Sequence, residues 1–241
     1  AMDAQRARAR AAGAFKAGRE EFTYDGELPA TEFAGYESLA VSTEILPLHF
    51  DAESGRLLFT AKLTPFYVES GGQVADDGSA ELELGDHFVH AAVLGVLRRD
   101  KSVLHTAQVE GIHPVLQQAV IGKLWIPVIL RVTREHRIPT EYNHTSTHLL
   151  HAALRAAFGD HVHQAGSYVG PDYLRFDYTH FEKPTTDELH RIEAQVNEWI
   201  RGNYGVAPRT LPLKQAQALG AMALFGEKYG DEVRMVEISD E

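Results

Sequence analysis

The chain has 241 residues, of which 34 are acidic and 23 are lysine or arginine, so that its formal net charge is −11. This length can bury a core of its own and corresponds to one large domain or two small ones. The absence of cysteine excludes a disulfide framework and a thiolate metal site within these residues. The acidic balance argues against a protein that coats nucleic acid, and no apolar run approaches the roughly 18 residues of a membrane span.

Residues 2–21 predict a lead-in helix, because alanine, arginine, glutamine and glutamate dominate and no breaker precedes Gly13. The segment lacks the apolar stretch of a secretory signal. From residue 22 to 130, apolar runs are short and broken by turn residues, which predicts a small β-barrel or curled sheet. The clearest strand candidates are Leu57–Leu63, His87–Leu97 and Val103–Val109. The stretch Ile112–Gly122 is compatible with either a short helix or a loop.

Residues 131–241 predict a second, α+β module in which helices and strands alternate, so that the whole chain is assigned to the α+β class. Asn143–Phe158 has helical spacing, with Asn143 as the N-cap and Gly159 after the end. The further predicted elements are a strand at Leu174–Tyr178, helices at Thr185–Asn203 and Leu213–Leu224, and a strand at Val233–Ile238. The helix predicted at Thr185–Asn203 has Thr186 as a possible cap. Its apolar stripe consists of Leu189, Ile192, Val196, Trp199 and Ile200.

His144 and His148 are the first candidate site residues. Histidines at positions i and i+4 lie one turn apart on one helix face, and this spacing allows two imidazoles to ligate one metal ion. Two solvated histidines are the competing interpretation. The glutamate that zinc proteases carry between such histidines is absent, since Thr145, Ser146 and Thr147 stand between them. His151 extends the same face and is compatible with either ligation or packing.

Two more segments have compositions typical of binding sites. In Glu69-Ser-Gly-Gly-Gln73 the glycines Gly71 and Gly72 allow positive φ and close approach of backbone N–H groups to a ligand, although the spacing alone favours a plain hairpin turn. Downstream, Arg175 and Asp177 stand two residues apart and share one face of a predicted strand. For that pair, a solvated ion pair is the alternative to a functional role.

Taken in order, three segments resemble the editing domain of alanyl-tRNA synthetases. They are TPFYVESGGQVADDG, NHTSTHLLHAALRAAFGDHVHQAGSYVGPDYLRFDYTHFE and GAMALFGEKYGDEVRMVEI. Order, spacing and length agree over residues 20–241. The resemblance implies a small β-barrel followed by an α/β editing core, and a cytoplasmic hydrolase that cleaves the ester joining serine or glycine to tRNA(Ala). It implies catalytic roles for Thr147, Gln164 and Gln73.

The resemblance also implies a zinc ion held by His144 and His148 together with a Cys-x-x-x-His pair further along the family's chain. The sequence ends at Glu241 before such a pair, so only two of four ligands are present. We therefore expect a fragment of the synthetase, without its ATP-dependent domain, in which zinc affinity and activity are reduced.

An acidic protein can contact tRNA only through local basic patches. The candidates are Arg131, Arg134, His136 and Arg137 before the histidine helix, Arg175, and the group Arg98, Arg99 and Lys101. If they bind tRNA, affinity should fall steeply with salt. The alternatives are a freestanding deacylase that edits tRNA in trans, and a tRNA-binding module without catalytic activity.

Overall fold

The computed structural model describes residues 27–111, 114–221 and 230–239. The helix predicted over residues 2–21 lies outside the described residues. The strands are β1 Glu32–Phe33, β2 Ala40–Asp51, β3 Arg56–Ala61, β4 Leu63–Thr64, β5 Gly78–Leu84, β6 His87–Arg99, β7 Ser102–Val109, β8 Ile126–Val132, β9 Gln164–Val169, β10 Leu174–Tyr178, β11 Gly205–Pro212 and β12 Glu232–Ser239. The helices are α1 Pro114–Gly122, α2 Arg134–Phe158, α3 Thr186–Gly202 and α4 Leu213–Ala218.

Six antiparallel strands close into a barrel in the order β2-β3-β7-β6-β5-β8. Alternation along the strands directs one face inward, as in β8, where Ile126, Val128, Leu130 and Val132 are buried. Phe59 and Phe66 fill the interior together with the aliphatic side chains. Helix α1 contributes Leu116 to the same core, which resolves the ambiguity at Ile112–Gly122 in favour of a helix over its described part.

The remaining elements form a second module with its own small core. Helices α2 and α3 pack on the two-stranded sheet β9–β10 around Ala153, Leu154, Val162 and Ile192. Strands β11 and β12 form a separate antiparallel ribbon. Helix α4 lies between these two strands in the chain. This arrangement confirms the predicted α+β class, with a small barrel followed by a mixed module.

Several predicted boundaries are corrected by the structure. Helix α2 begins at Arg134 with Thr133 as N-cap, so Asn143 lies inside the helix rather than at its start. Helix α3 is capped by Thr185, not Thr186, through a capping box with Glu188. Of its predicted apolar stripe only the middle packs inward, because Leu189 and Ile200 are about half exposed.

The other element predictions agree with the structure where it can be compared. Strands β3, β6, β7, β10 and β12 overlap the predicted ones, and Gly159 ends α2 with a φ of 103°. Of the helix predicted over 213–224, α4 occupies Leu213–Ala218. The prediction is wrong for 219–221, which lie beyond the end of the helix, and residues 222–229 lie outside the described part. Within the described ranges, no helix combines the length and the apolar composition needed to cross a membrane.

Candidate functional site

One face of α2 carries the histidines predicted from the sequence. His144 and His148 lie one turn apart, with ring centroids 5.1 Å from each other and an interplanar angle of 23°. Thr147 and His151 follow the same i, i+3 and i+4 spacing and are both buried at 5% exposure. The helix therefore brings a row of polar side chains to the interior side of the second module.

The Ser70–Gln73 segment is a tight turn whose two glycines are required by its geometry. Ser70 and Gln73 exchange two backbone hydrogen bonds, at 2.9 and 3.3 Å. Gly71 and Gly72 have φ values of 58° and 85°, a region that side chains with a Cβ rarely adopt. The turn docks on β9, since Val169 N–H donates to the Gly72 carbonyl at 2.8 Å and Val74 N–H donates to the Val169 carbonyl at 3.0 Å. The hairpin-turn interpretation is therefore correct as geometry, and the turn joins the barrel to the second module.

This turn places Gln73 against the histidine helix. The Gln73 side chain is 5% exposed, and its Oε1 accepts from His144 Nδ1 at 2.5 Å. The contact fixes the imidazole tautomer with its proton on Nδ1. A barrel loop and a helix of the other module thus share one polar contact, although 71 residues separate them in the chain.

Gln164 reaches the same turn through a neighbouring side chain. Its Nε2 donates to Ser167 Oγ at 3.0 Å, and the Ser167 hydroxyl donates to the Gly71 carbonyl at 3.2 Å. A Cβ on Gly72 would lie only 2.3 Å from Ser167 Oγ. Gln73, His144 and Gln164 are therefore brought into one connected region, as their common assignment to a site requires.

Burial, together with smaller contributions from charge repulsion by His144 and His151, lowers the pKa of His148 to about 4. His148 is consequently a neutral imidazole at neutral pH. A neutral imidazole carries a lone pair, so it can accept a hydrogen bond from water or ligate a metal.

Thr147 and His151 make contacts within the second module itself. The Thr147 hydroxyl donates to the Asn143 carbonyl one turn earlier, at 2.8 Å. His151 Nε2 lies 3.4 Å from the Val162 carbonyl, and its ring packs 5.1 Å from that of Phe176. Burial lowers the pKa of His151 as well. His151 is thus a packing residue of the second core, the alternative that its sequence position left open.

His144 and His148 line a cleft of about 640 Å³ between the barrel and the second module. Residues from the barrel loops, α2, α3, α4 and the β11–β12 ribbon form the rest of its lining. They are Tyr36, Tyr67, Ser70, Gly71, Leu149, Ala152, Trp199, Tyr204, Leu213, Ala216, Gln217, Ala221, Val233, Arg234, Met235, Val236 and Ile238. Such a volume is in the range of small-molecule sites, and the lining is largely apolar with a few polar groups. The cleft is the candidate functional site.

The donor set for a metal is incomplete in the described part of the chain. There, no group of three or more histidine, aspartate or glutamate side chains is arranged to hold an ion. A catalytic zinc keeps three protein ligands, whereas His144 and His148 supply two. The described residues therefore do not by themselves form a zinc centre.

Arg137, predicted as a tRNA contact, is instead a buried anchor. Its side chain is 4% exposed and forms an ion pair with Asp76, whose side chain is 6% exposed. The guanidinium also donates to the carbonyls of Gly35 and Pro65, at 2.7 and 2.8 Å. Nη1 also lies 3.6 Å from Glu141, so the guanidinium is engaged by protein groups and holds α2 to the barrel instead of facing an RNA.

The remaining predicted cations lie on the surface. Arg131 lies 3.6 Å from Glu81, and His136 lies 2.9 Å from Asp77. Arg175 forms a 3.2 Å ion pair with Asp177, both largely solvated, which agrees with the structural alternative for that pair. Arg134 is exposed in the first turn of α2. The exposed residues Arg98, Arg99 and Lys101 lie at the β6–β7 turn.

Sequence reasoning missed the side chains at the mouth of the cleft. Tyr36 comes from the loop before β2, and Trp199 comes from α3. Arg234 lies on β12. Tyr36 and Arg234 belong to no motif with recognisable spacing, and Trp199 was assigned only to the apolar stripe of its helix, so only the tertiary structure brings the three together. In the sequence, only their aromatic or cationic character could have indicated a role in binding.

Comparison with known proteins identifies relatives along almost the whole chain. It is 41% identical over 248 residues to an alanine–tRNA ligase of Halorhodospira halophila and 42% identical over 254 residues to that of Thermus thermophilus. Each match covers 99% of this chain and 27% of the relative. An alanine–tRNA ligase of Acidithiobacillus ferridurans is 44% identical over 222 residues, or 88% of this chain and 24% of the relative. No protein-family model matches the chain.

Proposed function

Almost the whole chain is similar in sequence to a segment that makes up about a quarter of the length of alanine–tRNA ligases. For this reason we propose that it is the editing module of such an enzyme. In this proposal it hydrolyses the ester of tRNA(Ala) that carries serine or glycine. An alanine pocket rejects a smaller side chain or an added hydroxyl only modestly, so a second, hydrolytic site is chemically justified.

The observation that carries this proposal is the contact of Gln73 with His144 beside the cleft. An aminoacyl ester is already activated, so its hydrolysis requires a positioned water and polar groups for the developing oxyanion, but no covalent nucleophile. The cleft supplies a neutral imidazole at His148 and a tautomer-fixed imidazole at His144. Its apolar walls limit the access of bulk water, which strengthens each polar contact.

We assign separate roles to the polar side chains. In the chain without zinc, His148, neutral at physiological pH, uses its lone pair to accept a hydrogen bond from the hydrolytic water. Gln73 orients His144, while Gln164, acting through Ser167, holds the Gly71–Gly72 turn in place. Thr147 buttresses the histidine face from within the helix. Gln164 and Thr147 are therefore positioning residues in this proposal, because their observed hydrogen bonds are to the protein.

The proposal includes a zinc ion that His144 and His148 bind weakly, because the described residues supply only these two of the donors that a zinc site needs. When bound, zinc supplies Lewis acidity toward a water or a carbonyl oxygen. No step of hydrolysis by this chain is assigned to it, since two imidazoles do not complete a catalytic site.

A deacylation assay with Ser-tRNA(Ala) tests the proposed function. The chain should accelerate release of serine over the spontaneous rate, and Gln73→Ala should reduce kcat/KM about 100-fold, the scale of losing one preorganised polar group. The assay is run with EDTA and with added zinc, so that the metal contribution is read from the ratio of the two rates.

Gln118→Ala is the matched control, since Gln118 is an exposed glutamine on α1. It should deacylate within twofold of the unsubstituted chain. Absence of hydrolysis in both metal conditions, combined with retained tRNA binding, would favour the non-catalytic tRNA-binding module. Hydrolysis that survives Gln73→Ala would overturn the assignment of the site.

A further inference from the structure

Arg234 and Tyr36 meet across the mouth of the cleft. The Arg234 guanidinium carbon lies 4.1 Å from the centroid of the Tyr36 ring, the geometry of a cation–π contact. Arg234 belongs to β12 of the second module, whereas Tyr36 precedes the first barrel strand. Both also line the cleft that contains His144 and His148.

The Tyr36 ring is a supported platform. Phe33 packs edge-on against it, with ring centroids 4.9 Å apart and an interplanar angle of 84°. Backbone hydrogen bonding from Glu37 to Ala34 closes the turn around it. The carbonyl of the preceding residue, Gly35, accepts from the buried Arg137 at 2.7 Å. Although 63% of Tyr36 is exposed, its ring position is thus tied to the anchor between the two modules.

Arg234 differs in its partner from three arginines described above. Arg131, Arg137 and Arg175 each face a carboxylate. No carboxylate of the described residues lies within ion-pair distance of the exposed Arg234, whose recorded partner is an aromatic face. A guanidinium stacked on a ring keeps its N–H donors at the edge, where they match a phosphate bidentately.

We propose that Arg234, stacked on Tyr36, is a phosphate-binding clamp for the single-stranded 3′ end of the RNA that enters the cleft. This inference rests on the proposed function, because it assumes an RNA substrate. In a protein with a net charge of −11, an exposed cation that forms no ion pair with the described residues is a group that an incoming polyanion can engage without displacing an internal carboxylate. The clamp positions the substrate and takes no part in bond cleavage.

The test measures binding of an RNA hairpin that carries a single-stranded 3′ CCA end, by fluorescence anisotropy at several salt concentrations. Arg234→Ala should raise Kd about tenfold at low salt, since it removes a charge-assisted contact. It should also lower the slope of log K against log salt by about 0.7, the value for one phosphate of a single strand. Arg234→Lys should keep the salt slope while losing part of the affinity.

Tyr36→Ala should weaken binding severalfold because the guanidinium loses its platform, whereas Tyr36→Phe, which keeps the aromatic face, should bind like the unsubstituted chain. Arg209→Ala is the matched control. Arg209 lies on β11 of the same ribbon, in a 3.0 Å ion pair with Glu237, and the register places it on the opposite face from Arg234. It should leave Kd within twofold.

The outcomes separate the two proposals. If the unsubstituted chain binds the hairpin and Arg234→Ala behaves like Arg209→Ala, the clamp is refuted and the editing function is untouched. If the unsubstituted chain neither binds the hairpin nor deacylates Ser-tRNA(Ala), the proposed function fails and the clamp fails with it. Urea unfolding midpoints of each variant confirm that the effects do not arise from misfolding.

Discussion

The histidines of this molecule occupy contrasting surroundings, and His105 is the most enclosed. It is fully buried in the barrel, stacks on Phe59 with ring centroids 4.7 Å apart, and shares a 2.8 Å hydrogen bond with Thr64 Oγ1. Burial lowers its pKa to about 3. The native barrel therefore holds this ring neutral, while the unfolded chain protonates it near its ordinary pKa of about 6.5.

We predict that this histidine makes the protein less stable in acid. Below about pH 6.5 the unfolded state binds a proton that the native state does not, so stability is full above this pH and is lost as pH falls toward the native pKa of about 3. The cost is at most about 1.4 kcal/mol per pH unit. His105→Gln should make the fall in unfolding free energy between pH 6.5 and 4.5 shallower by about 2 kcal/mol.

Urea denaturation at fixed pH values measures this difference. His87→Gln serves as the control, because His87 is exposed at the start of β6. Parallel pH profiles for the unsubstituted chain and His105→Gln would contradict the assignment.

Among the elements, the Ser70–Gln73 turn carries a strict sequence requirement. Gly72 combines a φ of 85° with a hypothetical Cβ that would meet Ser167 Oγ at 2.3 Å and the Ser167 carbonyl at 2.7 Å. We predict that Gly72→Ala costs about 3 kcal/mol of stability, from left-handed strain together with displacement of the turn from β9. Deacylation should fall at least as far as in Gln73→Ala, because Gln73 moves with the turn.

Gly85 offers a comparison that isolates the backbone contribution. It has a φ of 66°, and nothing lies within 4 Å of its hypothetical Cβ. Gly85→Ala should therefore cost only about 1–2 kcal/mol, the strain alone, and leave deacylation intact. Equal unfolding free energies for the two variants would show that the contact of Gly72 with Ser167 is unimportant.

Elements with local signals were predictable from sequence, and those held by tertiary contacts were not. Short apolar runs bounded by turn residues located β6 and β7, and Gly159 located the end of α2, all on local grounds. The first nine residues of α2 were missed because they are hydrophilic and contain Pro139. The structure places the start of this helix against the barrel through Arg137 and Asp76. Strand β11 was missed because Pro208 and Pro212 disfavour a strand, yet a ribbon with free edges tolerates them.

The same distinction applies to the site. The spacing of His144 and His148 predicted their common face. The contact of Gln73 with His144 was not predictable, since it depends on the docking of a barrel turn onto a helix 71 residues away. The burial of Arg137 was likewise invisible, because its partner Asp76 stands 61 residues earlier.

For the whole molecule, the buried pair of Arg137 and Asp76 is a polar link between the modules. We predict that Arg137→Ala costs about 3–5 kcal/mol, because it leaves Asp76 buried without its counter-charge and two carbonyls without donors. Arg134→Ala, one turn earlier on the exposed side, should change stability by less than about 0.5 kcal/mol.

A double-mutant cycle in urea separates the charge from the packing. Arg137→Ala combined with Asp76→Ala should be less destabilised than the sum of the single changes, since no charge is then left unpaired. Strict additivity would mean that the two side chains act independently, against the geometry of their contact.

Helix α2 has a mechanical consequence for the cleft. It is continuous over 25 residues, with Arg137 fixed to the barrel near one end and His148 about 16 Å further along at 1.5 Å per residue. A hinge between the two modules would have to bend this rod or break its buried anchor. The distance between the Gly71–Gly72 turn and the histidines is thus fixed by a stiff helix. We expect the side chains at the mouth of the cleft to make the adjustments that different substrates require.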